Sequence, residues 1–183
     1  GYYNVAVGRQ SMYSQTTGTN NVAVGMQALY SNTTASSSTA VGFNALYSNT
    51  TSYNTAVGTA AGYSNTSGQH MTAIGYVALN ANTTGNDNSA LGYTALQVNT
   101  TGYSNTGIGS YALRSNTTGF VNTALGQYSL PANTTGSYNT SVGSDSMAGN
   151  TTGSNNTAVG KDALATNTTA SQNTAVGYQA GYS

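Results

Sequence analysis

Cysteine, tryptophan and glutamate are missing from this chain, and charge of either sign is nearly so. The lack of cysteine excludes disulfide staples and thiolate metal sites, and leaves the redox compartment open. Only 3% of residues are charged, against about a quarter in an ordinary soluble domain. The bases are Arg9, Arg114 and Lys161, the acids Asp87, Asp145 and Asp162, and the formal net charge is zero. Such a surface cannot neutralise a row of phosphates, which argues against nucleic acid as a partner. Nor does it hold the basic cluster that an anionic membrane attracts. No apolar run approaches the roughly 18 residues that cross a bilayer, so no membrane span is expected. Proline and histidine occur once each, as Pro131 and His70.

What the chain does have is a repeat. The glycine that closes each Ala-Val-Gly or its equivalent stands at 8, 25, 42, 58, 75, 92, 109, 126, 143, 160 and 177. The spacing is 17 residues throughout, except for 16 between Gly42 and Gly58. A fixed period of this length points to stacked coils. Low charge alone would also suit a disordered polar chain, but here the apolar residues keep fixed places in the period. The expectation is one array of about eleven coils over residues 1–183, in the all-β class: a parallel β-solenoid with 17 residues per coil. Because the sequence begins and stops inside a repeat, it reads as a segment of a longer fibre.

The consensus coil is Asn-Thr-Ala-Val-Gly-x-x-Ala-Leu-x-x-Asn-Thr-Thr-Gly-x-x. The position before the glycine is always branched and apolar, from Val7 to Val176, and the position two earlier is mostly Thr. β-Branched residues two apart line one face of a strand. Read by hydrophobicity, Val and Thr face inward, and the Ala between them and the Asn before them face out. The neighbouring Ala and Leu that follow, such as Ala28-Leu29, do not suit a strand if both face in. They predict a single helical or 3₁₀ turn, with a second short strand as the alternative. Asn-Thr-Thr-Gly then makes a corner.

The stretches Asn4-Val5-Ala6-Val7-Gly8 and Asn21-Val22-Ala23-Val24-Gly25 resemble the head repeat of YadA-type trimeric autotransporter adhesins. The whole repeat, with its Ala-Leu and Asn-Thr-Thr-Gly, is also similar to repeats of phage-type tail fibres and large bacterial surface proteins. The resemblance implies a left-handed parallel β-roll, three chains to an assembly, and a place outside the cell. The family repeat is usually shorter than 17 residues, and the family's anchor and coiled-coil stalk have no counterpart here.

Candidate sites are sparse. Asn32, Asn49, Asn65, Asn82, Asn99, Asn116, Asn133, Asn150 and Asn167 each begin Asn-Thr-Thr or Asn-Thr-Ser, with Gln15 in the first coil. They offer either a column of N-linked glycans or simply turn-building side chains. The Thr and Ser of the same corners are candidates for O-linked sugar. Tyr13, Tyr30, Tyr47 and Tyr63 form one aromatic column, and Tyr76, Tyr93 and Tyr178 fall in another. Such columns serve an interface, stiffen a rod, or stack on sugar rings. His70 adjoins no acid in sequence, and the three Asp residues lie outside any calcium-binding nonapeptide. No cofactor, metal ligand set or acid–base–nucleophile set is legible, and no enzyme is expected.

The reading that follows is a structural extracellular or cell-surface fibre or adhesin segment, with carbohydrate or a host surface as possible external partners. A phage-type tail-fibre shaft is one alternative. An ice-binding solenoid is another, since regular Thr columns can order water. Against that stand the strand Thr, read as inward, and the Thr-Thr pairs, placed at corners. The inward set of Val, Thr, Ala and Leu is small, so more surface must be buried elsewhere. A homo-oligomer is therefore expected, a trimer first or an end-to-end filament, with Tyr and outward Ala columns as the contact.

Overall fold

The computed structural model describes residues 1–182 and shows a parallel β-solenoid of 17-residue coils. Each coil contributes one three-residue strand. They are β1 (Val5–Val7), β2 (Val22–Val24), β3 (Thr39–Val41), β4 (Thr55–Val57), β5 (Thr72–Ile74) and β6 (Ser89–Leu91). The remainder are β7 (Thr106–Ile108), β8 (Thr123–Leu125), β9 (Thr140–Val142), β10 (Thr157–Val159) and β11 (Thr174–Val176). All eleven lie in one parallel sheet in sequence order. The register is set by the period: Val22 pairs with Thr39, and Val24 with Val41. At about 4.8 Å per step, the array is a rod of roughly 50 Å.

The strand parity is the reverse of the hydrophobic reading. Ala23, Ala40, Ala56, Ala73, Ala124 and Ala158 are fully buried, and their flanking Thr and Val residues are half-buried or exposed. The residue before each interior strand, Asn in all but Ser38 and Met71, faces in with the Ala; Asn54, Asn88, Asn105 and Asn122 have no exposure. The alternation of two was legible, but a one-residue choice of parity flips every side chain. Two constraints decide it. The interior is narrow, so methyl-sized Ala fits under the strand opposite Leu. The Asn amide must also reach carbonyls inside the next corner. Bulky β-branched residues then take the outer face of the pleat, which suits them.

The second column pair also has a different origin from the one expected. Ala28 and Leu29 are both buried, yet no helix occurs among the described residues. Two successive turns carry this segment instead. Ala28 N–H donates to the Gly25 carbonyl at 3.4 Å, and Asn32 N–H to the Leu29 carbonyl at 3.3 Å. Gln27 and Leu29 have φ of 58° and 50°, a left-handed backbone that no α-helix contains. That kink turns Leu29 inward beside Ala28. It also aims peptide groups along the rod: Gln27 N–H donates back to Arg9 at 3.0 Å, and Leu29 N–H forward to Ala45 at 3.1 Å. The corner does the same, Thr100 N–H donating to Thr117 at 2.9 Å. Coil-to-coil hydrogen bonds therefore run around the whole perimeter, not only through the strands.

The 16-residue coil is absorbed at the Asn-Thr-Thr corner. Thr51 takes the glycine's place, its carbonyl accepting from Asn49 at 2.7 Å and its hydroxyl donating to the Gly68 carbonyl at 2.7 Å. The sheet register passes through unchanged, Thr39 opposite Thr55.

The glycine after each strand has φ between 126° and 142°, where side chains are rarely accommodated. A Cβ on Gly92 would also lie 2.4 Å from the Gly109 carbonyl oxygen. Gly92→Ala should therefore destabilise the rod by about 2 kcal/mol or more. Val121, a β-branched residue at φ 53° and exposed, is the opposite case. Val121→Gly should raise stability by about 1 kcal/mol, because left-handed backbone costs a side-chain residue about that much. Thermal unfolding followed by circular dichroism reads both.

Candidate functional surfaces

The predicted sequon asparagines are interior residues. Asn32, Asn49, Asn65, Asn82, Asn99, Asn116, Asn133 and Asn150 have no exposure. Each builds its own corner, and all but Asn49, in the shortened coil, donate to the side chain one coil before. Asn99 Nδ2 donates to Asn82 Oδ1 at 2.9 Å and to the Gly102 carbonyl at 2.9 Å. Asn116 repeats this with Asn99 and Gly119, and Asn133 with Asn116 and Gly136. Asn167, half-buried in the last Asn-Thr-Thr corner, donates to Asn150 and Ala170. Gln15 stands in register at the other end, its Oε1 accepting from Asn32 Nδ2 at 2.7 Å. Outside Asn49 each of these Nδ2 groups makes two hydrogen bonds, and a glycan on it would have to sit inside the coil. In the closed coil these side chains are rungs, the turn-building role.

A second asparagine ladder runs beside it, one residue before each strand. Asn105 Oδ1 accepts from Asn122 N–H at 3.0 Å, while Asn105 Nδ2 donates to the Gly119 carbonyl at 2.9 Å. Asn122 and Asn139 do likewise. Sequence reading placed this column outside. The clue was there: a small amide at a fixed phase, able to donate and accept along the axis at once.

One rung is exchanged for packing. Met71 stands where the second ladder has Asn and is buried, and Gly62 stands where the Leu column has Leu. A Cβ built on Gly62 would lie 2.5 Å from Met71 Cε. The thioether fills the volume that the missing Leu leaves, a use that methionine's flexibility suits.

Tyrosines stack on one another. Tyr13, Tyr30, Tyr47 and Tyr63 have successive centroid distances of 5.1, 4.9 and 5.0 Å and interplanar angles of 12° or less. Tyr76 stacks on Tyr93, and Tyr111 on Tyr128. Tyr178 stands apart from that pair, under Lys161 Nζ at 5.7 Å. The rings cover each other's faces, an arrangement that stiffens the rod and leaves few open platforms for a sugar ring.

Among the scattered ionisable residues two pairs form. His70 Nδ1 meets Asp87 Oδ1 at 3.1 Å with both side chains more than half exposed. The two are one period apart, so the contact was readable from the spacing. Lys161 Nζ donates to Asp162 Oδ2 at 2.6 Å, and that bond holds the ammonium above its usual pKa. Asp145 accepts from its neighbour Ser144 at 2.8 Å. Three core serines, Ser129, Ser141 and Ser146, replace Ala and satisfy one another or nearby carbonyls. No group of three or more His, Cys, Asp or Glu side chains comes together among the described residues.

Two uncharged surfaces remain. The strand face carries the outward Thr column and, beside it, a stripe of Val, Ile and Leu that includes exposed Val57, Leu91, Ile108, Leu125 and Val176. The hydroxyls of the strand threonines make no hydrogen bond within the described chain, and none of the six charged side chains lies on a strand. The other surface is the Thr-Thr edge. There the first Thr of each pair is tied down, as when Thr83 Oγ1–H donates to the Thr100 carbonyl at 3.1 Å. The second Thr, as at Thr84 and Thr101, is exposed.

Neither the family models nor the curated proteins nor the solved structures contain a match to this chain.

The interior ladders yield two predictions. Asn99→Ala strands an acceptor on Asn82 and on Gly102 and a donor on Asn116, so it should cost on the order of 3 kcal/mol. Thr101→Ala, one corner residue away but exposed, should stay within about 0.5 kcal/mol. For the exchanged rung, Gly62→Leu and Met71→Asn should each destabilise alone, and the double variant should recover about 1 kcal/mol or more of their sum. Chemical denaturation of the four proteins measures that coupling.

Proposed function

We propose that the chain is a rod-like segment of an extracellular fibre or adhesin, with several copies packed side by side through the strand face. The observation that carries the reading is that stripe: eleven in-register strands, eight of them presenting Thr, beside a continuous column of Val, Ile or Leu with no charge among them. Contiguous apolar surface of this extent marks an interface in soluble proteins. The contact replaces the Ala columns, which the fold puts inside. The rest of the molecule suits an architectural part. Its ladders give stiffness in one direction, and its near-uncharged surface makes it indifferent to salt. The resemblance of the strand motif to trimeric adhesin heads supports three chains as the first assembly to test. The external partner would be met elsewhere on the fibre, carbohydrate or a host surface among the candidates.

Sedimentation of the purified chain tests the assembly. The expected species at micromolar concentration is a homo-oligomer, with a trimer foremost. Leu91→Lys combined with Leu125→Lys should reduce it to single chains with an unchanged circular dichroism spectrum. A wild-type chain that sediments as a stable monomer would contradict the reading.

A further inference from the structure

The Thr-Thr edge is the most regular outward feature of the rod, and nothing in the fold requires half of it. The first Thr of the pair occurs in ten coils, at 16, 33, 50, 66, 83, 100, 117, 134, 151 and 168. In eight of them its hydroxyl donates to the carbonyl of the next coil's first Thr, at 2.7 to 3.1 Å, which pins its rotamer. That ladder explains the first column. The second is Thr at 17, 34, 84, 101, 118, 135, 152 and 169, and Ser at 67, and is lost only in the shortened coil. These side chains are exposed and their hydroxyls make no hydrogen bond within the described chain. Other outward positions vary freely: the residue after each strand glycine is Arg9, Met26, Phe43, Thr59, Tyr76 or Lys161, for example. An exposed, unbonded residue that the repeat nevertheless keeps is a residue with something to bind.

The character of the array limits what that is. It is a row of hydroxyls and methyls at about 4.8 Å per coil, interrupted once at the shortened coil, over roughly 40 Å, with the first Thr of the pair tied by hydrogen bonds in eight coils and no charge in the row. A small molecule would need one such set, and an irregular macromolecular surface would not register with nine. A ligand with its own translational repeat would. Crystalline polysaccharides have one, but sugar surfaces are gripped by open aromatic faces with amides or carboxylates beside them. Here the larger tyrosine stacks hide their faces in one another, and no charged side chain stands in either Thr column. Water in a crystal lattice is a ligand of that kind, an uncharged, hydrogen-bonding surface with its own translational repeat, and the edge offers it hydroxyls and methyls at a regular spacing. The strand face is the weaker candidate, because its Thr column is broken by Val5, Val22 and Ser89 and its apolar column changes size.

We infer that the Thr-Thr edge binds ice, with Thr17, Thr34, Thr84, Thr101, Thr118, Thr135, Thr152 and Thr169 as the contact row and the tied Thr column holding them in register. The inference does not depend on how copies pack through the strand face.

Thermal hysteresis of the purified full chain is the test, alongside uptake of the fluorescently labelled chain into a slowly grown ice hemisphere. The wild type should lower the freezing point relative to the melting point, shape ice crystals and enter the hemisphere. Thr84→Lys, Thr118→Lys and Thr152→Lys together, spaced two coils apart to avoid mutual repulsion, should bring hysteresis to the buffer baseline with the folded spectrum retained. Wild-type chain that is excluded from ice and shows no hysteresis overturns the inference, whatever the variants do. So does hysteresis that survives the triple substitution but is lost with Thr106→Lys and Thr140→Lys on the strand face. Retention on microcrystalline cellulose or chitin at room temperature without hysteresis also overturns it, and assigns the edge to a polysaccharide surface.

Discussion

Every coil of this protein is closed by the coil beside it. The peptide groups of a 17-residue loop have few partners within the loop, and buried backbone groups are costly to leave unpaired. Here they find partners one period away, around the full perimeter: Leu29 with Ala45, Thr100 with Thr117, Gly92 with Ile74. The remaining features serve that requirement. Left-handed residues at three places per coil aim the turn peptides along the axis. Glycine after each strand lets successive backbones approach closely. Two interior asparagine columns pair the corner carbonyls that no backbone N–H reaches. An asparagine amide suits the task because it donates and accepts along one line, and identical rungs can repeat without limit.

This arrangement settles where polar and apolar residues go, and it does so against the usual rule. The interior holds Ala, Leu and a large share of amide; the exterior holds Thr, Val, Ile and stacked Tyr. Burying asparagine is tolerable because the ladder asparagines keep hydrogen-bond partners in a low-dielectric column. The exposed stripe of Val, Ile and Leu is the surface that the proposed packing of copies would cover. With a handful of paired charges and no cluster of ligating side chains among the described residues, the chemistry of the molecule lies in repeated surfaces. Function is then a property of columns, and substitutions should be judged by the column they interrupt.

The period, the coil length and the parallel register were all legible in the sequence, because glycine and Asn-Thr-Thr recur at one phase. Side-chain direction was not. Hydrophobicity put Val24 inside and Ala23 outside; the structure has the reverse, since the width of the coil and the reach of Asn21 decide parity, and neither is a property of the strand residues. The Ala28-Leu29 pair suggested a helical turn because two adjacent inward residues are rare in extended chain. The actual cause is the left-handed backbone at Gln27 and Leu29, residue types that carry no signal for it. The sequon column was found at the right positions with two readings open. Only burial distinguishes a glycan acceptor from a rung. The compensation between Gly62 and Met71 could be seen as two departures from consensus, but their contact needs three dimensions.

The parity of the strands carries the whole account, from the asparagine ladders to both outward surfaces. A chain without native cysteine allows it to be read directly. Ala90→Cys and Leu91→Cys place single thiols on adjacent residues of β6, and maleimide labelling of the folded protein is followed at a dilution where chains are separate. The expected result is rapid labelling at position 91 and protection at position 90 until denaturant is added. Rapid labelling at position 90 with protection at position 91 would contradict the account, and would put Val, Ile and Leu back in the core.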